Sequence, residues 1–509
     1  MPNHPYARRS ALAALLLFLA ACGGDGGDGG AAGKDGAPGK DGAPGAAAVS
    51  DSAAPAAGDD KSTVGNEAVR EKAPPIIRGL YINAYAAGSP TRFPKLLKMA
   101  DETEINAFVV DVKDEKGIRY RTELPLQKQL AQPGEVTIRD LKAFTDSLRA
   151  HNIWSMARIV VFKDPILSKA EPDWSVRRPG GGLWVDKAGN TWVSPWDERV
   201  WDYNLDIAEE VARAGFNEIQ FDYVRFAEPY KSLPPQVHPR ARGDRTDAIA
   251  AFLNEAKRRL HPLGVTVTAD VFGLSPNEGG DVNIGQQWET ISAIADHVLP
   301  MMYPSHYFPT HLPGVSKPDL MPYDVLFKSA GMARWRSDQL QEAGVRPARI
   351  IPWLQAFSAP WLGRNHQKYG AQQIRDQKRG VYQVGLDDWV LWHPGSKYEP
   401  FLDGLERGEP QSRKAAQYTP PADVQSWLNR FEREGVRAAR DKAVAQARGD
   451  VVDPAAAQAA KAGRPEPNQP ASKAAPGQNA PAEAAPTATG VPAAGGQTTP
   501  SAPAQRPRR

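Results

Sequence analysis

Between Ile76 and about Tyr398, short apolar strands alternate with amphipathic helical stretches, and this alternation constrains the fold more than any other feature of the chain. The candidate strands are Gly79 to Tyr85, Ala107 to Lys113, Trp154 to Phe162, Glu218 to Phe226, Thr266 to Gly273, Val298 to Pro304, Arg349 to Phe357 and Trp389 to Pro394. The helical period falls in the gaps: Phe93 to Glu104, Ile138 to His151, Glu198 to Ala214, Thr246 to His261, Gln286 to Ala295, Tyr323 to Ala343 and Ala371 to Lys378. Gly215, Gly264 and Gly344 lie just past three helix ends, where a left-handed cap is wanted. About eight βα-type units over roughly 320 residues predict an α/β chain folded as a (β/α)8 TIM barrel. An open doubly wound sheet would usually carry a glycine-rich phosphate loop after its first strand, and none follows Tyr85. A last helix, Ala422 to Ala447, carries Val424, Trp427, Leu428 and Phe431 at helical spacing, so its apolar face is expected to lie on the barrel.

In such a barrel the reactive groups gather where strands run out into loops. Asn83, Asp111, Lys113, Asp222, Arg225, Asp270, Tyr303, Gln355 and Trp392 all fall at those ends. In Glu218-Ile219-Gln220-Phe221-Asp222-Tyr223, alternation turns Gln220 and Asp222 into the barrel and Phe221 and Tyr223 toward the helices. A carboxylate ending a buried strand is costly unless it has a partner or a task. Arg225 is expected close enough to hold Asp222 ionised, and Asp270 ends the next strand at the same level. Two carboxylates facing one cleft are the minimal equipment for cleaving a glycosidic bond, with Asp222 as nucleophile or charge stabiliser and Asp270 as general acid/base. The competing reading makes Asp222 and Arg225 a salt bridge that closes the barrel top. Asp111 is expected to play a positioning or structural role with Lys113, although Asp111, Glu228 and Glu278 each compete with Asp270 for the part of the acid. Substrate contacts are expected from Asp111, Lys113, Arg225, Tyr303, His306, Trp353, Gln355 and Trp392.

Trp174, Trp184, Trp192 and Trp196 crowd the stretch after the third strand, and Leu183 to Ser194 reads as a β-hairpin around Lys187-Ala188-Gly189-Asn190. These rings either stack on sugar or form a private core for the loop. No His-x-His or His-Glu-x-x-His spacing occurs, so neither a metal site nor a cofactor is expected. A serine nucleophile is likewise unsupported, because the middle region holds no Gly-x-Ser-x-Gly elbow.

The ends of the chain differ from the middle. Arg8-Arg9 and the apolar run Ala11 to Ala21 read as a secretion signal, too short to span a bilayer comfortably. Leu19-Ala20-Ala21-Cys22 resembles the lipobox of bacterial lipoproteins, which implies lipidation of Cys22 and attachment to the cell envelope; the plainer reading is an ordinary signal peptide. Glycine recurs every third residue from Gly24 to Ala47, as a collagen-like triple helix or, in the reading favoured by so few triplets, a tether. The expected organisation is signal peptide 1–21, tether 22–75, barrel 76–400, helical extension 401–449 and an Ala/Pro-rich tail 450–509, both ends being disordered. Lys and Arg (62) nearly balance Asp and Glu (59), which disfavours nucleic acid as a partner.

Five motifs in order carry a family resemblance: Arg78-Gly79-Leu80-Tyr81, Val110-Asp111-Val112-Lys113-Asp114, Phe221 to Phe226, Ala269-Asp270-Val271-Phe272-Gly273 and Met302-Tyr303-Pro304-Ser305-His306. Together they resemble a bacterial family of barrel domains grouped with glycoside hydrolases, of largely undefined function, over roughly Ile76 to Tyr398. The resemblance implies a (β/α)8 fold and a polysaccharide or glycan substrate. The wider clan includes barrels similar to α-amylases and α-galactosidases, whose nucleophile ends the fourth strand, where Asp222 stands. This chain departs from the amylase-like pattern at Gln220, Asp270 and Gln355, and from the galactosidase-like pattern in lacking a carboxylate in Tyr303 to Tyr307. The expected function is an envelope-anchored glycoside hydrolase; the rival is a barrel that binds carbohydrate or scaffolds the envelope without chemistry.

Overall fold

The computed structural model describes residues 68–433 and 436–448. Its strands are β1 (Arg78–Ile82), β2 (Ala107–Asp114), β3 (Trp154–Val160), β4 (Glu218–Asp222), β5 (Thr266–Phe272), β6 (His297–Met301), β7 in two segments (Arg349–Ile350 and Trp353–Gln355) and β8 (Trp389–Trp392). Each lies parallel to the next, and β8 returns to β1 through Arg78↔Trp389, which closes an eight-stranded barrel. Closure leaves none of these strands with an open edge. Pro352, which has no N–H to give the ladder, divides β7; both segments still pair with β6, through His297↔Arg349 and Met301↔Trp353.

Seven principal helices fill the intervals: α1 (Phe93–Glu102), α2 (Leu141–Ala150), α3 (Glu198–Arg213), α4 (Arg245–Leu260), α5 (Trp288–Ile294), α6 (Pro322–Glu342) and α7 (Ala371–Gln383). Their starts and stops follow local chemistry. Asp140 and Asp197 accept backbone N–H groups at the starts of α2 and α3. Gly215, Gly264 and Gly344 take φ of 108°, 74° and 84°, the backbone that the sequence assigns to glycine. On α3 the apolar stripe Val200, Trp201, Leu205, Ile207, Ala208 and Val211 is buried, one face of the shell around the barrel.

The barrel interior is a separate core. Tyr81, Val109, Met156, Leu299, Tyr303, Trp353 and Val390 pack there. At the N-terminal end of β4, Glu218 is fully buried and accepts hydrogen bonds from Trp154 Nε1 (2.7 Å), from Thr268 Oγ1 and, across 3.0 Å, shares one with His297 Nδ1. Four strands are thereby tied below the mouth.

The last helical stretch is described as α8 (Ala422–Arg433) and α9 (Val436–Ala447), with residues 434–435 between them outside the described residues; Val424, Leu428 and Val436 pack with Met332 of α6. One boundary differs from the sequence expectation. The segment before β1 is docked from residue 68 onward rather than running free to residue 75, because Arg70 pairs with Asp296 at 2.8 Å and Val69 is buried. Its bland composition hides that anchor. Cys22, the repeat Gly24 to Ala47 and the tail 450–509 lie outside the described residues. Among the described residues no helix is long and apolar enough to cross a membrane.

Candidate active site

The parity expected for β4 is what the structure has: Phe221 packs on Phe252 of α4, with ring centroids 5.1 Å apart, while Gln220 and Asp222 point inward. β4 and β5 are in register through Phe221↔Ala269, so Asp222 and Asp270 each stand one residue beyond that pair, side by side at the top of the barrel. Their partners differ. Asp222 Oδ2 accepts from Arg158 Nε (2.9 Å) and Nη2 (2.5 Å), and its Oδ1 accepts from the N–H of Tyr223 (2.5 Å). Asp270 Oδ1 accepts from Gln220 Nε2 (2.6 Å) and Trp353 Nε1 (2.8 Å). Burial, reinforced by the charge of Asp222, pushes the Asp270 carboxyl well above the usual carboxylate range. Both of those donors meet the same oxygen, Oδ1.

Arg158 is the residue that sequence reasoning missed. It stands on β3 in register with Asp111 and Gln220, and its Nη1 donates to Asp111 Oδ1 at 2.6 Å while the other side of the guanidinium holds Asp222. A cation in the run Trp154-Ser155-Met156-Ala157-Arg158-Ile159-Val160 was the available signal. Asp111 Oδ2 accepts from the Tyr81 hydroxyl at 2.5 Å, so both of its oxygens are engaged. Burial raises the Asp111 carboxyl to about 6 against the opposing charge of Arg158. Just past β4, Tyr223 adopts φ 50°, a backbone that a bulky residue takes only under constraint. That turn brings its N–H onto Asp222.

Several expectations require correction. Arg225 does not hold Asp222: it pairs with Glu228 at 3.2 Å, donates to Phe226 O and lies over the Tyr223, Trp192 and Phe272 rings. Tyr223 does not face the helices; its hydroxyl lies 3.3 Å from Lys163 Nζ beside the third loop. Lys113 does not serve Asp111, because the register of β2 slips between the two residues and turns Lys113 outward to Asp164 at 2.8 Å. Lys113 and Gln355 are fully buried, and Gln355 is spent on Ser305 N, Asp319 and Phe357 O. Trp353 is buried; it donates to Asp270 and meets the Tyr81 ring edge-on at 6.3 Å. Trp184 and Trp192 are buried with their indole N–H groups on Pro234 O and Asp186, and Trp196 packs against Phe226, so these three form a private core. The hairpin itself is present, bridged by Val185↔Thr191.

Tyr303, His306 and Trp392 do line the mouth. Tyr303 stacks on Trp392 with centroids 5.3 Å apart, and His306 meets the Tyr303 ring edge-on at 5.2 Å. Burial and the charges of Asp270 and Asp222 push the Tyr303 phenol well up, while burial pushes the His306 imidazole down to about 3. Among the described residues no group of histidine, cysteine and carboxylate side chains is arranged to hold a metal ion.

Known proteins place this chain in a family. It is 34% identical to a hypothetical protein from Ruminiclostridium thermocellum, across 38% of this chain and 97% of that one, with a TM-score of 0.34. The glycoside hydrolase domain of PgaB (BpsB) from Bordetella bronchiseptica aligns at 14% identity over 65% of this chain and 99% of its own, with a TM-score of 0.44. Alpha-L-fucosidase isoenzyme 2 from Paenibacillus thiaminolyticus aligns at 15% identity over 65% of this chain and 48% of its own, with a TM-score of 0.42. No curated protein matches. The family model described as "Putative glycosyl hydrolase domain" covers residues 79–398, the span that holds the five motifs, and the chain belongs to that family.

Proposed function

We propose that the barrel hydrolyses glycosidic bonds of a polysaccharide or glycan, with Asp270 as general acid and Asp222 as the carboxylate facing the anomeric carbon. One observation carries this reading: two carboxyl groups at the same level of adjacent strands sit in opposed environments, Asp222 gripped by a guanidinium and Asp270 buried beside that negative charge. An environment that raises one carboxyl of such a pair marks it as the acid. Asp270 would pass its proton to the glycosidic oxygen as the C1–O bond breaks. Asp222 would stabilise the positive charge growing on the sugar ring, either directly or by forming a covalent intermediate that water then opens. Arg158, itself anchored by Asp111, positions Asp222. No cofactor takes part in this scheme. Lipidation of Cys22, with attachment to the cell envelope, belongs to the same proposal and rests on Leu19-Ala20-Ala21-Cys22.

A non-catalytic barrel that binds carbohydrate or scaffolds the envelope is favoured by one observation. Both oxygens of Asp222 are already bonded within the protein, and the residue is only 7% exposed. Release of reducing ends from a panel of polysaccharides, measured from about pH 4 to pH 8, decides between the two. The hydrolase reading expects release that falls by about 10² or more in Asp270→Asn. No release from any polysaccharide would favour the scaffold.

A further inference from the structure

The mouth of the barrel is divided in kind. On the side of the loops after β2, β3 and β4, charged side chains are matched to one another: Arg119 with Asp114 at 2.5 Å, Lys163 with Glu115 at 3.1 Å and Arg225 with Glu228 at 3.2 Å. The loops after β6 and β7 and the end of β8 instead bring together Tyr303, His306, Phe357, Trp361 and Trp392. Two near-parallel ring pairs organise this wall. Tyr303 and Trp392 lie 5.3 Å apart at 28°, and Phe357 and Trp361 lie 6.1 Å apart at 20°. Phe357 stands at 87° to Trp392 and joins the two pairs edge to face. Trp361, Trp392 and His306 stay partly exposed, whereas Tyr303 and Phe357 behind them are buried. The wall is continuous with the carboxylate pair, since Tyr303 packs in one cluster with Trp353, whose Nε1 donates to Asp270 at 2.8 Å.

We infer that this wall is a stacking platform for an uncharged pyranoside chain, with Trp361 and Trp392 each covering the apolar face of one sugar ring on the same side of the cleavage point. A pyranose ring with equatorial substituents presents a patch of C–H groups that gains by leaving water against an indole. An ionised sugar laid on the same wall would lose hydration against rings that carry no counter-charge: Tyr303, Phe357, Trp361 and Trp392 are uncharged, and burial pushes the His306 imidazole down to about 3. The inference deepens the hydrolase reading and takes the position of the cleavage point from it.

The test uses Asp222→Asn protein, so that bound chains persist, and neutral hexamers of β-linked glucose, N-acetylglucosamine, xylose and mannose beside hexagalacturonate and a chitosan hexamer. Calorimetry should find at least one neutral hexamer bound, with affinity changing by less than about twofold between low and high salt. Trp361→Ala and Trp392→Ala should each weaken that binding by about tenfold in protein that still melts as a folded barrel, and Trp392→Phe should restore most of it. Preference for a charged hexamer with salt-sensitive affinity, no binding of any neutral hexamer, or binding indifferent to both tryptophans would overturn the platform. The two readings fail separately. Tryptophan-dependent binding without turnover by the native protein would remove the hydrolysis and leave the platform; turnover with KM unchanged in both tryptophan variants would do the reverse.

Discussion

Burial and the facing charge of Asp222 both push the Asp270 carboxyl up, so both favour its protonated form. A general acid works only while protonated. Activity should therefore be present below the raised pKa of Asp270 and be lost as pH rises through it, giving an alkaline limb that lies well above the ordinary carboxylate range. We expect Asp270→Asn to abolish that limb along with most turnover of natural glycosides. A pH–rate profile measured on both proteins checks this, and an unchanged limb in the variant would move the acid elsewhere. At this scale part of the candidate site was legible in the sequence. Strand alternation was enough to turn Asp222 inward, since the apolar residues on either side of it leave only one workable parity. Its cation was assigned to Arg225 by nearness along the chain, whereas the structure supplies Arg158 from the neighbouring strand. Contacts across a sheet depend on register, which one strand read alone does not contain.

Elements were readable where their period was uninterrupted. The eight strands and seven helices follow from apolar spacing, and the capping glycines fall where they were expected. Local irregularities were not readable. The slip in β2 after Asp111 reverses the face that Lys113 occupies, and nothing in Val110-Asp111-Val112-Lys113 announces it. Leu428 is fully buried against Met332, in a small cluster separate from the barrel cores. Leu428→Ala should cost about 2 kcal/mol or more there. The loss should appear as faster amide hydrogen exchange in α8 and α9 with barrel strands still protected. Equal loss of protection in β1 to β8 would mean that the terminal helices are integral to the barrel.

For the whole molecule, closure was predictable because the number of βα units and the missing phosphate loop left few other arrangements. The site's polar groups converge at the mouth because every parallel strand of a closed barrel ends at the same face. The proposed attachment of the chain to an envelope rests on Leu19-Ala20-Ala21-Cys22. Cys22→Ala should move the protein from the membrane to the soluble fraction on cell fractionation, and continued sedimentation with membranes would refute the anchor. The central claim concerns chemistry, and Asp222→Asn tests it most directly. The variant keeps the shape of the side chain, and Arg158 keeps its bond to Asp111, so the guanidinium is not left alone. The stability cost should then be about 1–2 kcal/mol, below the 3–5 kcal/mol expected when a buried charge loses its only partner. Turnover and thermal melting measured side by side on this variant should give a folded protein, slightly lowered in melting temperature, that still binds glycan and no longer cleaves it; a variant that melts far lower yet cleaves glycan at the native rate would contradict the account.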